Sequence, residues 1–130
     1  MPTYVTDTHS LFWYFTRPER LGTGARMAFD QVAAGDSTLI VPVIVLAELI
    51  YLIQNKPVGG DLDEILNELQ ADPAIVIADL TLARALDLRK LTAVPEMHDR
   101  LIVAEAVANE ATLITNDLSI TNSGVVSVVW

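Results

Sequence analysis

Four acidic side chains stand at positions where the sequence predicts apolar surroundings. Asp7 directly follows the segment "YVT", and Asp117 follows "LIT" with one residue between. Glu48 is the only charged residue of the segment 39–55, and Asp99 shares a helical face with apolar residues three and four positions later. An unpaired buried carboxylate costs several kcal/mol, so each of these acids needs a cation, a proton or strong hydrogen-bond donors.

Each acid also has an ordinary structural explanation when it is considered alone. Asp7 suits a helix N-cap or a turn. Asp117 suits a turn in which Asn116 or Asp117 bonds its own backbone. Asp99 suits the first turn of a helix, where a negative charge interacts favourably with the helix dipole. Glu48 is explained equally well by a buried salt bridge to an arginine or by a neutral carboxylic acid. These alternatives stay open for each residue taken singly.

The elements that must position these acids alternate between short apolar strands and helices. Strands are predicted at 4–6, 37–42, 74–78, 111–115 and 124–130. Helices are predicted at 8–17, 22–35, 43–55, 61–72, 80–91 and 97–110, with Gly35 as the C-cap of the second helix and a turn at 57–60. Continuously apolar strands that alternate with helices indicate a parallel sheet flanked by helices on both faces. The fold class predicted is therefore α/β, a three-layer α/β/α arrangement in a single domain over residues 1–130.

A parallel sheet of this kind brings the four acids toward one another. Ligands of such folds bind at the carboxyl ends of the strands, near the point where the strand order reverses. Two of the acids follow strands and two project from helices toward apolar neighbours, so all four can converge on one rim. Crowded carboxylates repel one another and raise each other's pKa values, which a divalent cation relieves. Oxygen ligands without cysteine or histidine suit Mg²⁺ or Mn²⁺ rather than zinc.

The composition limits the class of protein. A length of 130 residues with 52% hydrophobic residues is enough for one core and excludes a disordered chain. The absence of cysteine excludes a disulfide framework and a thiolate zinc site, and it favours a cytoplasmic location. The sequence shows neither a signal-peptide pattern nor an apolar run long enough for a membrane helix. A net charge of -9 argues against a general nucleic-acid binder and fits a metal-binding cluster or a basic protein partner.

Four stretches together resemble the PIN-domain ribonucleases, and within them the VapC-type toxins of toxin–antitoxin pairs. They are "VTDTHSLFWY" around Asp7, "VPVIVLAELIYL" around Glu48, "HDRLIVAEA" around Asp99 and "LITNDLSI" around Thr115 and Asp117. The stretches occur in the family's order and span almost the whole chain. The resemblance implies a parallel sheet with helices on both faces and an acidic metal site. It also implies a metal-dependent endoribonuclease that cleaves single-stranded or structured RNA, forms a homodimer and is bound by an antitoxin.

The resemblance assigns a role to each matching residue. Asp7, Glu48 and Asp99 would be the core metal ligands, and Asp117 would bind a second ion or its water shell. Thr115 would hydrogen-bond to Asp7 or orient a metal-bound water. Ser10 matches, less closely, a small polar residue near the family's site.

Two other functions compete with a nuclease toxin. A PIN-like domain that has lost its activity would act as a binding module, and the intact acids argue against it. A phospho-receiver-like signalling domain also has acids at strand ends, but it requires a lysine after a late strand. The lysines of this chain, Lys56 and Lys90, both end predicted helices.

Aromatic and basic residues near the first acid have two interpretations. The run "FWYF" at 12–15 would either stack on bases or pack in the core and at a dimer interface, since four consecutive helical residues cannot face one way. Arg17, Arg20 and Arg26 would form either a basic lip beside the acids or ordinary surface charges. His9 and His98 flank the acids and are predicted to be surface or capping residues. "GTGARM" has two glycines in dinucleotide-binding spacing, but it lacks the third and follows a helix.

Overall fold

The computed structural model describes residues 1–56 and 60–130. Within them the strands are β1 (Thr3–Thr6), β2 (Thr38–Pro42), β3 (Ile75–Ala78), β4 (Thr112–Ile114) and β5 (Val128–Val129). The α-helices are α1 (Thr8–Thr16), α2 (Thr23–Ala33), α3 (Val43–Asn55), α4 (Leu62–Ala71), α5 (Leu82–Asp87), α6 (Met97–Ala108) and α7 (Leu118–Ser123). Short 3₁₀ turns lie at Pro18–Arg20 and Leu88–Lys90.

The strands form one parallel sheet in the order β3-β2-β1-β4-β5. Val5 of β1 lies between Ile40 of β2 and Leu113 of β4, and Val5 and Leu113 are fully buried. Strands buried on both faces need apolar residues at successive positions, which is why they appear as continuous apolar runs. The predicted α/β/α architecture is therefore confirmed.

The strand order reverses between β1 and β4. The chain leaves β1 toward β2 on one side, and it leaves β4 toward β5 on the other. In parallel sheets the crevice at the carboxyl ends of two such strands is the usual ligand site. Asp7 follows β1, and Thr115 follows β4, so the fold places both at this crevice.

The predicted end of α2 at Gly35 is confirmed by its hydrogen bonds. Gly35 has a φ of 81°, a left-handed conformation that glycine adopts without a steric penalty. Its N–H donates to the carbonyl of Val32 at 3.0 Å, and the N–H of Asp36 donates to that of Gln31 at 2.9 Å. This pair of bonds is the Schellman arrangement that satisfies the last carbonyls of a helix.

Some elements differ from the sequence prediction. α7 and the turn at Pro18–Arg20 were not predicted, and the predicted helix 80–91 divides into α5 and a 3₁₀ turn. The predicted last strand 124–130 shortens to β5, and the predicted turn at 57–60 lies outside the described residues except for Gly60. α7 has the polar sequence "LSITNS", which shows little helical periodicity. No helix in the described ranges is long and apolar enough to span a bilayer.

Candidate active site

An open cavity of about 740 Å³ lies at the carboxyl edge of the sheet. It is lined by all four carboxylates that the sequence singled out, Asp7, Glu48, Asp99 and Asp117, together with Ser10. The predicted convergence of the acids on one rim therefore occurs in the structure. Glu96 also lines this cavity, which brings a fifth carboxylate that sequence reasoning did not select.

Asp7 is fixed at the junction between β1 and α1. It is the N-cap of α1, and its Oδ1 accepts a hydrogen bond from the backbone N–H of Ser10 at 2.9 Å. Its own N–H donates to the carbonyl of Ile114 at 3.2 Å, and its Oδ2 accepts from the hydroxyl of Thr115 at 2.5 Å. The structural explanation of Asp7 as a cap is therefore correct, and the cap holds the carboxylate at the cavity.

Thr115 connects the first acid to the last. Its side chain is fully buried, and its Oγ1 both donates to Asp7 and accepts from the backbone N–H of Asp117 at 3.0 Å. The hydrogen bond between Thr115 and Asp7 is the one that the resemblance implied. A single buried hydroxyl thus bonds both the carboxylate of Asp7 and the backbone of Asp117.

Asp117 is the N-cap of α7. Its Oδ1 accepts from the backbone N–H of Ser119 at 2.8 Å and from the Ser119 hydroxyl at 2.7 Å. A third bond to this oxygen, from the N–H of Ile120, is 3.4 Å long. The expected local bonding of this aspartate is therefore present, and it begins a short helix instead of a simple turn.

Glu48 is half-buried on α3 and is held by a neutral donor. The hydroxyl of Thr8, itself buried, donates to Glu48 Oε1 at 2.8 Å. The salt bridge considered from the sequence is absent among the described residues, where no arginine lies within ion-pair distance of Glu48. α3 also has an exposed side, with Tyr51 68% exposed, so Glu48 lies at the border between apolar packing and the cavity.

Asp99 is the third residue of α6 and has the orientation that its spacing predicted. Ile102 and Val103 on the same face are buried, and the Glu96 side chain caps the helix by accepting from the Asp99 N–H at 2.8 Å. Burial and the neighbouring negative charges together raise the pKa of Asp99 to about 6, and burial is the largest cause. The charges belong to Asp117, Glu96, Asp7 and Glu48. This is the mutual repulsion expected of crowded carboxylates.

His98 pairs with Glu96 at the rim of the cavity. Its Nδ1 lies 2.6 Å from Glu96 Oε1, and this hydrogen bond raises the pKa of His98. Both His98 and His9 line the cavity, at its exposed side. The sequence predicted surface or capping positions for the two histidines, and the structure places both beside the acids.

The oxygen-rich cavity fits a hydrated divalent cation. In residues 1–56 and 60–130 no three carboxylate or imidazole groups are preassembled as a metal-binding cluster. Mg²⁺ keeps several water molecules and usually binds proteins through one or two carboxylates, so it does not require such a cluster. Asp7, Glu48 and Asp99 could hold the ion directly or through water, with Asp117 at the edge of its water shell.

The side chains of Trp13, Arg20 and Trp130, which were not assigned to the site, also line the cavity. Trp13 belongs to the aromatic run, and Arg20 is one of the arginines considered as a basic lip. The sequence therefore identified both segments as candidates near the acids. Trp130 had no signal of its own. Its position depends on a contact between distant parts of the chain, which no local pattern reveals.

The fold and the cavity define a class of protein: a parallel α/β/α domain with an acidic site at the switch in its strand order. The chain belongs to the PIN-domain family, whose model matches residues 4–122. This assignment confirms the resemblance noted in the four motifs and replaces the phospho-receiver alternative. A comparison with curated proteins gave no match.

Solved structures share the fold at low sequence identity. A chain in the crystal structure of VapBC2 from Rickettsia felis, bound to a DNA fragment from its promoter, superposes with a TM-score of 0.70 at 19% identity. The alignment covers 97% of this chain and 96% of that one. A chain of DNA-bound VapBC from Salmonella typhimurium gives a TM-score of 0.68 at 16% identity, with coverage of 98% and 97%. The architecture is thus that of chains found in VapBC complexes.

The raised pKa of Asp99 predicts how stability depends on pH without metal. Between the ordinary value of 3.8 and about 6 the folded state binds more protons than the unfolded state, so stability falls as pH rises through this interval. Asp99→Asn should remove this loss and raise the free energy of unfolding at neutral pH by about 1 kcal/mol, after allowance for solvent screening. Urea denaturation in EDTA at acidic and neutral pH measures the effect.

A matched variant separates this effect from a general change in charge. Asp36 is exposed and lies at the opposite, amino end of β2, so Asp36→Asn makes the same substitution away from the cavity. It should retain the pH dependence of the wild-type protein. Parallel stability curves for wild type and Asp99→Asn would show that carboxylate repulsion at the cavity does not limit stability.

Proposed function

We propose that this chain is a Mg²⁺- or Mn²⁺-dependent endoribonuclease and the toxin of a cytoplasmic toxin–antitoxin pair. The observation that supports it is the single cavity lined by Asp7, Glu48, Asp99 and Asp117 at the switch point of a PIN domain. Residues 1–130 act as one nuclease domain in this proposal. The relatives in VapBC complexes support the toxin role by analogy of fold.

The charge of the cavity explains why a cation is required. A phosphodiester is itself anionic, so the five carboxylates that line the cavity would repel the substrate unless their charge were neutralised. When bound, Mg²⁺ or Mn²⁺ supplies that charge and lowers the pKa of water, which makes water a nucleophile at neutral pH. Asp7, Glu48 and Asp99 would hold the ion, and Asp117 would hold a second ion or order the surrounding water.

The protein's part is to keep these carboxylates in place. Asp7 is held by the Ser10 N–H and the Thr115 hydroxyl, and Glu48 is held by the Thr8 hydroxyl. Groups that are fixed before the substrate arrives need no reorganisation during the reaction. In the reaction proposed, the oxygen of water bonds to phosphorus, the bond from phosphorus to O3′ breaks, and O3′ takes up a proton that the water loses. The products carry a 5′-phosphate and a 3′-hydroxyl.

Substitution of Asp7 tests the nuclease directly. Purified wild-type protein should cut total cellular RNA into discrete fragments with Mg²⁺ or Mn²⁺ and should do nothing in EDTA. Asp7→Asn removes a charged ligand while keeping a side chain that can cap α1, so cleavage should fall by about 100-fold or more with the fold intact. Gel analysis of the RNA measures the rate, and Asp36→Asn, which lies away from the cavity, should cleave normally.

The same assay separates the proposal from an inactive PIN-like binding module. Undiminished cleavage by Asp7→Asn would overturn the assignment of the site. No cleavage with either metal, combined with no Mg²⁺ binding in calorimetry, would favour the inactive module.

The acidic cavity and the net charge of -9 also predict the chemistry of a partner. We expect an antitoxin with a basic, partly disordered segment that docks on the acidic rim, and we expect the nuclease to act as a homodimer. Co-expression with the neighbouring open reading frame should yield a complex that blocks RNA cleavage and weakens as salt is raised, because salt screens charge pairs. Asp99→Asn with Asp117→Asn should weaken it further.

Two results would count against this partner. A neighbouring gene product that does not co-purify at low salt would remove the antitoxin from the proposal. A complex that is insensitive to both salt and the loss of the two aspartates would show that docking does not use the acidic rim. Sedimentation of the toxin alone tests the homodimer, which a strictly monomeric protein at micromolar concentration would contradict.

A further inference from the structure

The four aromatic residues at 12–15 have different surroundings. Phe12 is buried in the core, and Tyr14 stacks on Phe29 with ring centroids 4.4 Å apart. Phe15 lies beside α4 at a separate depression. Trp13 lines the acidic cavity and is half-buried, so one aromatic ring of the run is available to a ligand there. Core packing is therefore confirmed for Phe12 and Tyr14, and Trp13 is the ring of the run that faces the cavity.

Arg20 covers this ring with a positive charge. Its guanidinium carbon lies 4.6 Å from the centroid of a Trp13 ring, and the side chain is otherwise exposed. Among the described residues that line the cavity, Arg20 is the one arginine or lysine. Arg26 donates to the carbonyl of Pro18 at 2.5 Å and so supports the 3₁₀ turn that presents Arg20.

The "GTG" sequence brings a second indole ring to the same cavity. A Cβ added to Gly22 would lie 2.6 Å from the carbonyl carbon of Trp130 and 2.7 Å from its Cδ1. A Cβ on Gly24 would lie 2.7 Å from the Trp130 carbonyl oxygen, which accepts a hydrogen bond from the Gly24 N–H at 3.2 Å. Only glycine permits this approach, so the two glycines place Trp130 against the start of α2 at the cavity wall.

We infer that Trp13, Arg20 and Trp130 form a nucleotide-binding subsite beside the carboxylates, in which an indole ring stacks on a nucleobase and Arg20 pairs with an adjacent phosphate. This inference rests on the proposed nuclease function and names the part of RNA that the site recognises. Stacking on an aromatic ring needs an unstacked base, so the subsite selects single-stranded segments over duplexes. The exposed Arg20 can turn toward phosphate without breaking a buried contact.

The subsite also resolves the difficulty posed by the charge of the chain. General RNA binding depends on many lysines and arginines that displace counterions from phosphates, and this chain has eight such residues in all. Base stacking contributes affinity without requiring positive charge on the protein. One arginine next to the site of cleavage then supplies positive charge to the phosphate bound there. Binding of this kind should depend weakly on salt.

The chain offers a direct optical test, because its two tryptophans both line the cavity. Adenosine 5′-monophosphate should quench the intrinsic fluorescence of the Mg²⁺-loaded wild-type protein, while ribose 5-phosphate, which has no base, should not. Trp13→Phe and Trp130→Phe each leave a single reporter and keep an aromatic ring. Saturable quenching in both single-tryptophan variants would place the base between or beside the two rings.

Steady-state cleavage of a single-stranded oligoribonucleotide provides the second readout. Trp13→Leu should raise KM about tenfold with a smaller change in kcat, since stacking contributes to binding. Trp13→Phe should restore KM, because a phenyl ring still stacks. Arg20→Gln should raise KM and reduce its dependence on salt. Arg89→Gln removes the same charge from an exposed position outside the cavity and should match the wild-type protein.

The outcomes distinguish the subsite from the nuclease function itself. Metal-dependent cleavage with no quenching and with an unchanged KM in Trp13→Leu would overturn the subsite and leave the nuclease standing. Quenching by the nucleotide without cleavage under any metal would support the subsite and overturn the nuclease. Equal quenching by ribose 5-phosphate would show that the phosphate alone binds, which contradicts base stacking.

Discussion

Repulsion among carboxylates gathered at one end of the sheet is the constraint on which the rest of the site depends. The pKa of Asp99, raised to about 6, measures this repulsion together with burial. The fold offsets it with hydrogen-bond donors. Asp7 and Asp117 accept from the first turns of α1 and α7, and Asp99 lies in the first turn of α6. Helix N-termini present unpaired N–H groups and partial positive charge, so three helices begin where negative charge is concentrated.

The same contacts explain why structural and functional explanations of each acid were hard to separate from the sequence. An aspartate that caps a helix at the end of a strand is a local structural device and also a carboxylate held in a fixed direction. In Asp7 the two roles use different partners, since Oδ1 completes the cap and Oδ2 accepts from Thr115. The cap therefore also orients the carboxylate at the cavity. For Asp7 the structural and the functional explanation therefore do not exclude each other.

Much of the fold follows from local patterns, and the exceptions have physical reasons. Continuous apolar runs identify the strands because the sheet is covered on both faces, and Gly35 marks the end of α2 because the chain there turns with a positive φ. The sequence did not predict α7, because this helix is stabilised by the cap at Asp117 and the burial of Ile120 and has no amphipathic pattern. The sequence did not predict the position of Trp130, because only the packed structure shows that the two glycines of "GTG" leave room for it.

The cavity has two walls that are built by different parts of the chain. The acidic wall comes from residues at strand ends and helix starts near the switch point, where the sheet itself fixes their positions. The aromatic wall comes from one face of α1, the turn at Pro18–Arg20 and the contact of Trp130 with α2.

The side chains of the proposed nucleotide subsite are different from those proposed to bind metal, so either set can be substituted while the other is kept. Under the proposed function, a cation would neutralise the acidic wall and the aromatic rings would bind the substrate without adding charge. On this view the low count of lysine and arginine is compatible with a selective nuclease and unsuited to a general one.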